Sequence, residues 1–443
     1  MEGGVRPGGF GPRAPVPHRG PAGRERCESL LLPAGRLAPS VAERRGSNPT
    51  APVVLGASIQ KRRNEDPVRM KVPFTDLRPQ HQDLMGKIIP AIEQVFAESS
   101  FVLGPAVEQF ESAVAKMCGV PHAVGVNSGT DALLMSLKAL GVGQGDEVVV
   151  PTFTFVSVAD VVVRIGARPV FTDVDPLTYN MAIDSVTQAI TSKTKAIMAV
   201  HMFGQACDLA QLMQLANAHG IFLVEDVSQA MGGRIGNKYL GTMGVTGCFS
   251  FHPASNLGGA GDGGMIVTHN DEVADRVRRY RDHGRRADGS FEDIGYNSRL
   301  SSIQAAILRI KLEELNEMIA ERVENARYYT ELLREANIQL PDFYERGEHT
   351  YNSFTVQCEE RDALRQFLAE REISTGLCYR RPLHLEPCFS YLGYKQGDFP
   401  VAELLCERVL QLPVFPGMKK KGLEEVATSI LEFQEVVRAA GAE

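Results

Sequence analysis

The chain reads as an α/β protein: a mostly parallel sheet flanked by helices, followed by a smaller α+β domain. Three observations predict this. Short apolar runs alternate with helical-period segments from about residue 100 to 230. Several of those runs are apolar throughout, as strands covered on both faces are. Beyond about His349 the alternation gives way to mixed strands and helices.

In chain order, "AVEQFESAVAKM" places Val107, Phe110 and Val114 on one helical face. "AVGV" is a short buried strand, and "NSGTDALLMSLKAL" is a turn opening a helix. There follow the strand "EVVV", a helix around "SVADVVVRI", the strands "PVF" and "KAIMAV", the helix "LAQLMQLANAHG" and the strand "IFLVED". After Asp271 a long helical stretch is expected, notably from Ser301 to Ala336. In the C-terminal part "SFTVQ" reads as a strand and "ALRQFLAERE" as a helix. No internal repeat is visible. The expected organisation is an N-terminal extension at 1–69, a large domain at 70–320 and a small domain at 321–443.

The extension differs from the rest. "MEGGVRPGGFGPRAPVPHRGPAG" is dense in Gly, Pro and Arg and has no apolar period, so it cannot bury enough surface to offset the entropy of ordering. A disordered tail, or a chain whose true start is Met70, is expected over a transit peptide, whose amphipathic helix the Pro and Gly content opposes. The net charge of −7 conceals an asymmetry: residues 1–69 hold 12 basic and 6 acidic side chains, leaving 35 and 48 in the body, a net −13. That balance argues against a nucleic-acid or anionic-membrane partner. The apolar run from Val148 is broken by Asp160 and Arg164, too soon to span a bilayer. The eight cysteines include no C-x-x-C pair and read as reduced thiols of a cytoplasmic protein, with no metal site.

Three segments could carry chemistry. Ser128-Gly129-Thr130 opens a helix, where free N–H groups and the positive dipole end suit a phosphate, although Ser there also serves as a plain N-cap. "IFLVED" ends in Glu225-Asp226 at the carboxyl edge of the sheet, where open α/β sheets bind ligands. An acid there could hold a proton on a heteroaromatic nitrogen, or simply cap the next turn. Five glycines from Gly258 to Gly264 follow Ser250 and His252, and they imply tight turns or close backbone approach to a ligand.

Taken together and in this order, these segments resemble the DegT/DnrJ/EryC1/StrS family of sugar aminotransferases. The resemblance starts at "VPFTDLRPQHQDL" and takes in "SFVLGPAVEQFE", "NSGTDAL", "GDEVVVPTFTFVS", "HMFGQACDL", "EDVSQAMGG", "GYNSRLSSIQAA", "RPLHLEPCF" and "LPVFPG". It implies a pyridoxal-phosphate transferase of fold type I with a seven-stranded-type sheet, and pyridoxal or pyridoxamine phosphate as cofactor. It implies a nucleotide-linked keto-deoxysugar as substrate, glutamate as amino donor, a role in polysaccharide biosynthesis and a homodimer. It also implies roles for single residues. Gly129, Thr130 and Ser250 hold the phosphate, Phe155 stacks on the ring, Asp226 pairs with the ring nitrogen and Gln229 meets the phenolic oxygen. Asn297 reaches the phosphate across the dimer interface.

The chain departs from the family at one position. Where the family reads S-F-x-x-x-K-N-L-G, with the lysine that forms the Schiff base, this chain has Ser255. A hydroxyl forms no imine and is a poor proton shuttle at neutral pH. Lys238, in "GNKYLG", reads as a surface residue and no substitute. His252 reads as a packing or substrate-shell residue, three positions from where the family's 3-dehydratase branch carries its histidine. Four readings stay open: a sugar aminotransferase, a cofactor-binding or regulatory relative without turnover, a single change in an otherwise ordinary transaminase, and a lysine-less pyridoxamine-phosphate dehydratase.

Overall fold

The computed structural model describes residues 70–342 and 347–440; the expectations for residues 1–69 lie outside them. Helices α1 (Arg78–Glu98) and α2 (Pro105–Cys118) lead into β1 (His122–Val126), α3 (Gly129–Ala139), β2 (Glu147–Pro151), α4 (Ser157–Arg164) and β3 (Arg168–Thr172). Next come α5 (Ile183–Ala189), β4 (Thr194–Val200), α6 (Leu209–His219), β5 (Phe222–Asp226) and the short hairpin β6 (Arg234–Ile235) and β7 (Lys238–Tyr239). Strands β8 (Thr246–Ser250) and β9 (Gly264–Thr268) precede α7 (Asp271–Tyr280).

Seven of these strands form one sheet in the order β1-β9-β8-β5-β4-β2-β3. Only β9 runs against the others, since it pairs antiparallel with both β1 and β8 while the remaining pairs are parallel. The mostly parallel, helix-flanked sheet expected from the sequence is therefore present. Its strands are apolar throughout because both faces are covered. The two-residue period sends Val148 and Val150 into one core with α3, α4 and α7, and Val149 into the other with α2 and α6. Ile197 and Ala199 of β4 likewise join the second core, and Met198 and Val200 the first.

The long helical stretch expected after Asp271 is instead three helices: α7, then α8 (Ser302–Glu313) and α9 (Leu315–Leu332). The segment between α7 and α8 turns at Gly284 and Gly289, whose positive φ angles of 80° and 86° are incompatible with a continuing helix. Glu314, at φ −98° and ψ 0°, separates α8 from α9.

A third core forms around the two-stranded antiparallel sheet of β10 (Phe354–Gln357) and β11 (Val409–Leu412). Helices α9, α10 (Arg361–Glu370) and α12 (Lys420–Ala440) cover it, and Val72 near the start of the described chain is part of it. Helix α11 (Pro400–Arg408) joins the core of the large sheet through Ala402 and Leu405. None of the helices among the described residues is long and apolar enough to cross a membrane.

Phe110 of α2 is fully buried and meets Phe251 edge-on, with ring centroids 5.2 Å apart. Phe251 directly follows β8, so this pair anchors the start of the glycine-rich loop. Phe110→Ala should cost about 3–5 kcal/mol in denaturant unfolding, the range for emptying a buried aromatic site. A loss under about 1 kcal/mol would contradict that packing role.

Candidate active site

A cavity of about 580 Å³ opens at the carboxyl ends of the parallel strands, where the sheet topology places ligands. Gly129, Thr130, Phe155, Asp226, Gln229, Ser250, His252 and Ser255 all line it. Asn297 does not: its side chain is exposed and accepts a hydrogen bond from Arg299.

At one end, Ser128 caps α3 by accepting a hydrogen bond from the Asp131 N–H at 3.1 Å. Gly129 is the first helical residue, and a Cβ there would sit 2.6 Å from the Cβ of Ser250. Likewise a Cβ on Gly264 would meet the Ser128 carbonyl oxygen at 2.2 Å. The helix start and the end of β8 therefore touch through glycine alone. This brings the Ser250 hydroxyl beside the free N–H groups of α3, an arrangement suited to a phosphate.

Asp226 ends β5 with little exposure, 5%. Its Oδ1 accepts hydrogen bonds from the Ser228 N–H (3.0 Å) and hydroxyl (2.6 Å), while Oδ2 has no partner among the described residues. Burial raises its pKa, opposed by the two Ser228 hydrogen bonds and the nearby His201. A carboxylate in that setting calls for a positive partner. The preceding residue, Glu225, points to the opposite side, where it accepts from His201 Nε2 (3.1 Å) and from the backbone N–H groups of Gly241, Met243 and Gly244. His201 Nδ1 in turn accepts from the Cys207 N–H at 3.1 Å, so Nε2 is the nitrogen that donates to Glu225.

Gln229 Oε1 accepts from the Phe203 N–H at 2.9 Å, which turns its amide nitrogen toward the Tyr379 hydroxyl at 3.4 Å. Phe155, in the loop between β2 and α4, is 56% exposed and borders the cavity, leaving ring surface open to it. These features fit a planar, phosphorylated heteroaromatic cofactor: a cradle closed by glycines, an unpartnered carboxylate oxygen and an uncovered aromatic ring.

Ser255 is half-buried and lines the cavity, and its hydroxyl has no hydrogen-bond partner among the described residues. The loop holding it is fixed by its neighbours. Asn256 donates to the Met231 carbonyl (3.0 Å) and to Thr350 Oγ1 (2.9 Å) and accepts from Asn352 (3.1 Å). Lys311 of α8, buried and with its pKa lowered to about 8 by that burial, donates to the Gly258 carbonyl. Among the described residues no lysine lines the cavity: Lys238 is exposed on the β6–β7 hairpin and Lys311 is behind the loop. His252 is exposed at the cavity, its Nδ1 accepting from the Ala254 N–H at 3.2 Å.

Sequence reasoning missed several lining residues, among them Phe203, Asp262, Arg322, Tyr379 and Gln411. "VPFTDL" and "HMFGQACDL" were signals for Phe74 and Phe203. Arg322, in the middle of α9, carried none.

The chain belongs to the DegT/DnrJ/EryC1/StrS aminotransferase family, whose model matches residues 82–431. It is 41% identical to a UDP-N-acetyl-3-dehydro-alpha-D-glucosamine 3-aminotransferase of Acidithiobacillus ferrooxidans, over 81% of this chain and 97% of that protein. It is 40% identical to a pleiotropic regulatory protein of Geobacillus stearothermophilus, over 82% and 99%. Among solved structures it is similar to S. venezuelae DesV in complex with a ketimine intermediate. That match has a TM-score of 0.79 and 38% identity, covering 82% of this chain and 98% of that one. The fold is accordingly that of the pyridoxal-phosphate transferases of fold type I.

The raised pKa of Asp226 has a consequence for stability. Its stabilising contribution is complete below the unfolded-state pKa and is lost as pH rises through the higher folded-state value. Asp226→Asn keeps an oxygen for Ser228 but never ionises. The cofactor-free variant should therefore match the unmodified chain at low pH and exceed it in denaturant midpoint as pH rises, with the gap levelling above the folded-state pKa. Equal midpoints at every pH would show that the ionised carboxylate carries no burial cost.

Proposed function

We propose that this chain holds pyridoxal or pyridoxamine phosphate non-covalently and acts on a keto sugar linked to a nucleotide, with transfer of an amino group limited by Ser255. One observation carries the reading. Six residues expected from the family pattern, Gly129, Thr130, Phe155, Asp226, Gln229 and Ser250, converge on a single cavity, and the lysine position of that pattern, Ser255, lines the same cavity.

When bound, the cofactor supplies an electron sink for chemistry at an amine-bearing carbon. The chain's own residues do the rest. Gly129, Thr130 and Ser250 bind the phosphate, Phe155 covers one ring face and Gln229 orients the phenolic edge. Asp226, buried and short of a partner, keeps a proton on the ring nitrogen. The missing function is a base next to the reacting carbon. A positioned base is worth about 10²–10⁴ in rate, so turnover in the unmodified chain should be depressed by that order. The relatives named as sugar aminotransferases support the substrate class. Glutamate as donor and a cytoplasmic location belong to the same proposal, as does a division into a cofactor-binding region at 70–320 and a smaller one at 321–443.

A second reading, a binding or regulatory protein without turnover, is favoured by the absence of any cavity lysine and by the likeness to the pleiotropic regulatory protein.

Ser255→Lys decides between them. The loop is already held by Asn256 and Lys311, so a long side chain should be accommodated in the open cavity. The variant should gain a visible absorbance band with pyridoxal phosphate and a half-reaction with glutamate at least about 10²-fold faster than the unmodified chain. A folded, cofactor-binding variant with neither would favour the regulatory reading.

The proposal includes a homodimer. Asn297 stands outside its own cavity, and the nearby segments expose Val102, Phe291 and Ile294. These side chains suit a partly apolar interface through which Asn297 reaches the partner's phosphate site. Sedimentation at micromolar concentration should give a dimer; a stable monomer would contradict it.

A further inference from the structure

Three arginines are buried among the described residues: Arg281, Arg322 and Arg361. Arg281 pairs with Glu111 and Arg361 with Asp362. Arg322 pairs with no carboxylate among the described residues, although a buried guanidinium without a counter-ion is costly. It is 5% exposed and borders the active-site cavity at the end formed by Phe74, Leu412 and Val414.

Its hydrogen bonds are confined to one corner. Nη1 donates to the Val414 carbonyl at 2.9 Å, with longer approaches to the carbonyls of Asn352 (3.4 Å) and Tyr351 (3.5 Å). Nε is buried without an acceptor, and Nη2 has none among the described residues. Nε is sealed from the cavity, so Nη2 is the donor left to face it, placed for a charge-assisted hydrogen bond to one carboxylate oxygen. Neighbouring polar groups are not similarly free. Gln411 Nε2 donates to Ser353 at 2.7 Å, and the Asn352 amide donates to Asn256 at 3.1 Å.

We propose that Arg322 is the anchor of a carboxylate subsite at this end of the cavity, opposite the phosphate cradle of Gly129 and Ser250. The carboxylate is that of the amino donor or that of an acidic sugar. Burial lowers the Arg322 pKa to about 10 in the absence of an anion, which is consistent with a cation awaiting its partner. The proposal rests on reading the cavity as the cofactor and substrate site.

Calorimetric titration of the full chain with glutarate, with and without pyridoxamine phosphate, tests it. Glutarate should bind, and uncharged glutaramide should bind at least tenfold more weakly. Arg322→Gln and Arg322→Lys should each weaken glutarate at least tenfold while pyridoxamine phosphate affinity holds, because neither side chain carries a guanidinium N–H to that point. If a variant does not fold, the glutarate and glutaramide comparison on the unmodified chain decides alone. A parallel titration with D-glucuronate identifies the source: the tighter Arg322-dependent ligand marks a donor or a sugar acid. Absence of binding by either carboxylate, or equal binding by Arg322→Gln, overturns the subsite. Pyridoxamine phosphate bound without carboxylate would overturn this inference alone, and carboxylate bound without pyridoxamine phosphate would overturn the cofactor reading alone.

Discussion

Two adjacent carboxylates at the carboxyl end of β5 set the terms for the whole site. Because successive strand residues face opposite sides, Glu225 and Asp226 cannot share a task. Glu225, fully buried, gathers His201 and three backbone N–H groups of the 241–244 turn, and so fixes the loops on either side of β5. Asp226 is left at the cavity with one oxygen held by Ser228 and one available. The cost of burying an ionised Asp226 is acceptable only if a cation or protonated ring offsets it, which ties the chemistry to the fold at this point.

The second constraint is distance. The start of α3 and the end of β8 approach closely enough that Gly129 and Gly264 admit no side chain. This contact depends on β9 running antiparallel between β1 and β8, since that pairing brings the turn after β1 to the end of β8. A phosphate cradle follows from sheet order as much as from the Ser-Gly-Thr sequence.

The sheet was legible because its strands are uniformly apolar and bounded by helical-period segments; the face of Val107, Phe110 and Val114 is buried as its spacing requires. The break between α8 and α9 was not, because the apolar period continues across Glu314 and nothing there forbids a helix. Strands β8 and β9 were hidden by the glycines between them, which read as a loop. Six of the cavity-lining residues were legible through ordered motifs, each weak by itself. Arg322 and the Glu225–His201 pair were not, since their roles arise from what tertiary structure leaves unpaired or brings together. Asn297 was identified from motif alone, and a single chain gives it no place in the cavity.

On the proposed reading, the cavity holds its cofactor without a covalent bond to the protein. Treatment of the full chain with stoichiometric pyridoxal phosphate and borohydride, followed by peptide mass spectrometry, tests this most directly. No reduced cofactor adduct on Lys311 or Lys238 is expected, together with full release of the cofactor on denaturation. An adduct fixed on either lysine would contradict it.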